Sequence, residues 1–143
     1  GLHSLEQIDR AFRVGMEKVV LNSGTQVQGL VESAAKKFGS QAIVASLDVR
    51  SAGWLRKRTV ATVRSGTQTL SDTPIELARQ LEGRGAGEIW LNCIDRDGTR
   101  EGYDLEIIRQ VTEAVSIPVV ACGGAGTRAD LSLPTQVSGA SAV

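Results

Sequence analysis

Four places in this 143-residue chain combine side chains that could do chemistry. The richest is Asp95-Arg96-Asp97-Gly98-Thr99, followed by Gly102-Tyr103-Asp104. Two carboxylates just after a strand-like run could orient hydroxyl groups or take protons, because ligands of parallel α/β folds bind at the carboxyl ends of strands. An Asp-Gly turn closed by an Asx hydrogen bond explains the same residues without a ligand. Next is Cys122-Gly123-Gly124-Ala125-Gly126, also after a strand-like run and ahead of a helix-like stretch from Thr127. Glycines there let backbone N–H groups converge on a phosphate; a tight turn with no ligand is the plainer reading. Asp48 closes a mostly apolar run and is either an acid–base group or the cap of the next segment. Asn22-Ser23, at another strand end, could donate to a ligand or simply shape a loop.

These groups depend on the elements between them. Ser4 is placed to cap a helix with Gln7 as its reciprocal partner, and Leu5, Ile8 and Phe12 share one face up to Gly15. Strands are expected at 18–22, 42–48, 88–94 and 118–122, with 140–143 starting another. Helices are expected at 27–38, 74–81 and 105–115, the second opening on Pro74, where a missing N–H does no harm. Residues 49–70 read as irregular and basic, with room for a hairpin around Thr59–Val63. Alternation of this kind implies a parallel sheet flanked by helices. A barrel and a Rossmann-like open sheet both satisfy it. No linker divides the chain, which reads as one incomplete domain.

Composition narrows the classes. Sixteen basic and sixteen acidic residues cancel, which argues against nucleic acid or an anionic membrane surface as a partner. No apolar run reaches the roughly 18–20 residues of a membrane span. Gly1-Leu2-His3-Ser4 leads straight into an amphipathic segment, so no signal peptide is expected. Two cysteines, Cys93 and Cys122, make no disulfide framework, and a reducing cytoplasm is the default. No metal site or cofactor is expected. The chain is short for a complete (β/α)8 barrel, which needs about 250 residues.

Taken in order, Phe38-Gly39-Ser40-Gln41, Asp48, Gly85 to Ile89, Asp95 to Thr99, Gly102-Tyr103-Asp104 and Ser116 to Gly126 resemble the cyclase subunit of imidazole glycerol phosphate synthase. The resemblance covers nearly the whole chain. It implies a partial (β/α)8 TIM barrel, about strands four to eight, with the first three missing and the chain stopping inside the eighth. It also implies an ammonia-using cyclase (a lyase) of histidine biosynthesis, with a glutaminase partner and a phosphorylated ribonucleotide substrate carrying a phosphate at each end. The products would be imidazole glycerol phosphate and an aminoimidazole carboxamide ribotide.

Carried over residue by residue, Asp48 matches the catalytic aspartate of the fifth strand, while its first-strand partner is absent. Asn22 and Ser23 match a ligand-contacting pair, Gly123, Gly124 and Gly126 one phosphate loop, and Gly1 the edge of the other. Asp95 and Asp97 match the loop after strand six. Strand parity puts Lys18, Val20 and Asn22, then Val44, Ser46 and Asp48, then Glu88, Trp90 and Asn92 on one face. Lys18 and Glu88 match a charged gate for ammonia; a solvated charge at a strand start is the plainer account.

Asn92 and Cys122 stand at ligand-facing positions where the family usually has Thr and Ser. Trp90 puts an indole in the ammonia path, and Ser65 to Thr73 is only loosely like the family's loop. Asn92 and Cys122 look more like a paralogous branch that makes acetamidino sugars for surface polysaccharide. A third expectation is an inactive chain that still binds phosphate and pairs with itself. Open sheet edges template association, and a two-fold homodimer would cover them and the inward Val20, Val44 and Val120.

Overall fold

The structure is a computed structural model that describes residues 1–54 and 58–143. Helix α1 (Leu5–Arg13) opens on Ser4, whose hydroxyl accepts from the Gln7 N–H at 3.3 Å. The Gln7 side chain reaches back one residue further than a capping box requires and accepts from the His3 N–H at 2.7 Å. Strand β1 (Val19–Leu21) leads through a 3₁₀ turn at Ser23–Gln26 to α2 (Leu30–Phe38). This helix starts three residues later than its apolar pattern suggests. Gly29 sits at φ +71°, a left-handed conformation that stays outside a helix interior.

Strand β2 (Ile43–Ala52) overruns its expected end, and β3 (Arg58–Val63) folds back against it, with β4 (Gln68–Thr69) beyond. The expectation of an irregular segment over 49–70 is therefore corrected. Val49, Thr59, Val60, Thr62 and Val63 are β-branched and suit a pleated surface. Residues 55–57 lie outside the described residues. The rest follows the expected alternation: α3 (Pro74–Gly83), β5 (Glu88–Cys93), α4 (Leu105–Ala114), β6 (Val119–Cys122) and a short α5 (Leu133–Val137). The helix-like stretch after Thr127 thus condenses into turns and five helical residues.

The sheet is mixed. β1, β2, β5 and β6 are parallel neighbours in chain order, and Ala142 bridges Val120 in parallel as the next position. The β3–β4 hairpin is antiparallel and shares an edge of β2 with β1, higher up. One parity of these strands, including Ile43, Ala45, Leu47, Ile89, Leu91, Val119 and Ala121, forms a core with Val31, Ala34, Leu81, Ile108 and Val111 of the helices. A doubly wound sheet reverses its strand order and takes helices on both faces. Here the order runs one way and the helices cover one face, as in a segment of a (β/α)8 barrel.

The other face is open. Val20 is 44% exposed and Trp90 40% exposed. Val120 is half-buried. Val44, expected to be uncovered with them, is only 2% exposed. It lies mid-sheet, in register with Val20 on one side and Glu88 on the other, and these neighbours screen it.

Candidate functional site

The open face carries the residues singled out by parity, stacked in rows. Nearest the strand starts, Val20, Val44 and Glu88 are in register; next come Ser46, Trp90 and Val120; the top row is Thr62, Asp48, Asn92 and Cys122. Asp48 is 8% exposed. Its Oδ1 accepts from the Ser46 hydroxyl and from Asn92 Nδ2, each at 3.3 Å, and its carbonyl accepts from the Thr62 hydroxyl at 3.4 Å. Among the described residues, Asn92 Oδ1 is the one buried side-chain oxygen or nitrogen without a partner. A buried acceptor left alone costs about 1–3 kcal/mol, so the amide nitrogen's engagement with Asp48 is kept against a penalty.

Asn22 stands beside this group. Its Nδ2 donates to the Ser46 carbonyl at 3.4 Å, and its own carbonyl accepts from the Thr25 N–H and hydroxyl at 2.9 and 2.7 Å. Ser23 donates weakly to Asn22 Oδ1 at 3.5 Å. Gly1 is near: the Leu2 carbonyl packs against Gly24, and the Gly1 carbonyl contacts His3 Nδ1 at 2.7 Å. The chain start therefore edges the same end of β1.

The glycine turn follows β6. Gly123 and Gly124 take φ +94° and +112°, and a Cβ at Gly124 would overlap the Gly102 carbonyl. That close approach is bonded: the Gly102 N–H donates to the Gly124 carbonyl at 2.7 Å, while Arg96 donates to the Gly102 carbonyl at 3.0 Å. The turn and the Asp95–Asp104 loop are one stitched unit. The N–H groups of Gly126 and Thr127 donate to Asp130 Oδ2 at 3.0 and 2.7 Å. These bonds hold the Asp130 carboxyl below its ordinary range. The Gly126 amide of the expected phosphate loop, with that of Thr127 beside it, is thus taken up inside the turn.

The carboxylates after β5 divide. Asp95 Oδ2 accepts from the Ser51 N–H at 2.9 Å and anchors β2 near the turn end of its ladder with β3. Asp97 is exposed in the turn, and Asp104 caps α4 through the Ile107 N–H at 3.4 Å. Lys18 and Glu88 do meet, at 2.6 Å, but at the opposite end of the open face. With Glu17, Gln41, Gly87 and Pro118 they line a cleft of 620 Å³. Four residue steps along β5 separate Glu88 from Asn92, about 13 Å, with Trp90 between them.

Cys122 shares the open face with Asn92, whereas Cys93 points into the helix side and both are free thiols. Burial first, then Asp104 and Asp95, push the Cys93 thiol up to about 12, so it is an inert core residue. Thr62 and Asp130 were not visible as site neighbours from sequence. Thr62 does alternate correctly with Val60, and Thr127 and Asp130 have the spacing of a reciprocal cap. No group of three or more His, Cys, Asp or Glu side chains among the described residues is placed to hold a metal ion. No helix among them is long and apolar enough to cross a membrane.

Comparison with known proteins places this arrangement. The family model described as "Histidine biosynthesis protein" matches residues 1–143. The chain belongs to this family. A Myxococcus xanthus protein named imidazole glycerol phosphate synthase subunit HisF is 39% identical over 143 residues, covering 99% of this chain and 55% of the relative. A Kocuria rhizophila protein of the same name is 39% identical over 144 aligned residues, covering 100% of this chain and 56% of its own length. A Pseudomonas aeruginosa protein carrying the subunit name hisF2 is 40% identical over 132 residues, 92% of this chain and 52% of its own. The chain therefore spans about half the length of the curated relatives it matches.

Proposed function

We propose that this chain supplies about strands four to eight of a (β/α)8 barrel that works as the cyclase of imidazole glycerol phosphate synthase. The reaction joins ammonia, delivered by a glutaminase partner, to a ribonucleotide with a phosphate at each end, and releases imidazole glycerol phosphate and an aminoimidazole carboxamide ribotide. The observation that carries the reading is the top row of the open face. Asp48 lies within β2, one position before its parallel pairing with β5 ends, pinned by Ser46 and Asn92, with Asn22 on one side and Cys122 on the other. An acid–base carboxylate ringed by polar side chains at the strand ends is what proton transfer on a bound ribonucleotide requires. Gly123 and Gly124 give one phosphate an approach to backbone, and Gly1, Asn22 and Ser23 border the place of the other. Asp95 and Asp97 rim that end, Asp95 by holding β2 at Ser51. At the far end, the Lys18–Glu88 pair beside an open cleft suits a charged entrance for ammonia.

A second reading, amidination of a sugar precursor by the paralogous branch, is favoured by Asn92 and Cys122 in the top row. One assay separates the two. The chain, completed by co-expressing the first half of the Myxococcus xanthus relative, is given ammonium and the histidine-pathway ribonucleotide. Consumption of that intermediate supports the first reading. A folded assembly that leaves it untouched sinks it and favours the second.

A further inference from the structure

Two donors converge on a single oxygen of Asp48. Ser46 Oγ and Asn92 Nδ2 both reach Oδ1 at 3.3 Å, and neither reaches Oδ2. From this we infer that Asn92 is a positioning residue that selects Oδ2 of Asp48 as the atom that takes and gives the proton. The inference rests on the acid–base reading of Asp48. Lone pairs already engaged by two donors are poor proton acceptors, so the free oxygen is the better base. Register holds the geometry: Asp48, buried, and Asn92, half-buried, are direct partners across two parallel strands in the middle of the sheet.

The amide's orientation follows from the same contact. Turned over, Asn92 Oδ1 would face Asp48 Oδ1, two acceptors in contact. With nitrogen toward Asp48, the amide oxygen is left buried and without a donor. Contact with Asp48 therefore takes precedence over satisfying Asn92 itself. A threonine at this position could offer one donor to the carboxylate and leave no orphaned acceptor. The asparagine keeps the donor and adds an empty acceptor, which separates a positioning role from ordinary packing.

The test has two arms. In the 143-residue chain itself, the carboxyl-carbon resonance of Asp48 at neutral pH is compared among the unsubstituted chain, Asn92→Ala and Asn92→Thr. Expected is a displaced resonance in Asn92→Ala that returns toward its starting position in Asn92→Thr; an unmoved resonance overturns the contact. In the chain completed with the first half of the Myxococcus xanthus relative, Asn92→Ala should lower kcat about 10–100-fold with little change in KM. Asn92→Thr should recover much of it. A raised KM at unchanged kcat would make Asn92 a substrate contact and overturn positioning. Ser46→Ala removes the other donor from the same oxygen and should give the same split, which covers the case of an Asn92→Ala chain that fails to fold. Asp48→Asn is run alongside. Full turnover by Asp48→Asn defeats the acid–base reading, whereas a dead Asp48→Asn with an unaffected Asn92→Ala defeats positioning alone.

Discussion

A carboxylate can exchange protons with a ligand only if it faces one and keeps an oxygen free, and Asp48 meets both conditions. It points to the open side of the sheet and has two donors on one oxygen only. In the completed barrel, Asp48→Asn should lower kcat by about 10²–10⁴-fold, the usual worth of one acid–base group, while KM changes little. Steady-state kinetics decide it, and equal losses in affinity and turnover would make Asp48 structural. Trp90 poses the opposite problem. It stands between the Lys18–Glu88 pair and the top row and is partly exposed on the inner face. Trp90→Leu should raise glutamine-dependent turnover relative to ammonium-dependent turnover if the indole narrows the route; an unchanged ratio removes that idea. The inward set was legible because side chains alternate with a period of two, so one inward residue per strand names the others. Asp95 was not legible in this way. Its partner, the Ser51 N–H, is 44 positions away and becomes a neighbour only because β2 runs on past Val49 beside β5.

At the scale of elements, the parallel strands and their helices could be read from period and punctuation, while the hairpin could be read only in outline, around Thr59–Val63, within a stretch that otherwise looked irregular. Its stabilising contacts are long-range pairs such as Asp48 with Thr62 and Ala52 with Arg58, and its basic residues disguise the β-branched pattern. The glycine turn is a second long-range device. Gly124→Ala should cost about 1–3 kcal/mol of backbone strain at φ +112° and separate the turn from the Gly102 loop, lowering the melting temperature and weakening phosphate binding together. A melting temperature that stays put would show that the turn yields easily. Helix packing also carries a pH signature. Glu82 of α3 accepts from the Ser116 hydroxyl and N–H at 2.5 and 2.8 Å. These bonds hold its carboxyl below the ordinary range. A lowered carboxyl stabilises the fold above its unfolded value and loses that contribution as pH falls through the folded one. Ser116→Ala should therefore lower stability at neutral and alkaline pH and flatten the fall on the acid side, so that the two proteins converge at low pH, as followed by urea melts across pH. An unaltered acid slope would deny Glu82 that role.

At the scale of the 143 residues taken together, the governing fact is an unclosed sheet. Parallel strands of α/β folds are buried on both faces, yet here only the helix side is covered. Val20 and Trp90 lie open, β1 and the Ala142 position offer unpaired edges, and the relatives are about twice as long. Complete burial of a side chain such as Val20 is worth about 1.5–3 kcal/mol, a sizeable part of the roughly 5–15 kcal/mol that holds a domain together. Exposed edges add backbone donors and acceptors that template pairing. A second copy related by a two-fold axis presents the same open face and edges, so one association covers both deficits at once. Sedimentation equilibrium of the chain should therefore give a dimer whose melting temperature rises with protein concentration. Val20→Lys, which puts a charge on the inner face away from the top row, should shift the chain toward monomer. The same dimer places two copies of the Asp48 row together and no first-strand carboxylate, so it should show negligible ammonia-dependent turnover. A stable monomer in dilute solution would mean that the open face is solvated as it stands, and turnover by the chain alone would mean that Asp48 needs no partner from the missing strands.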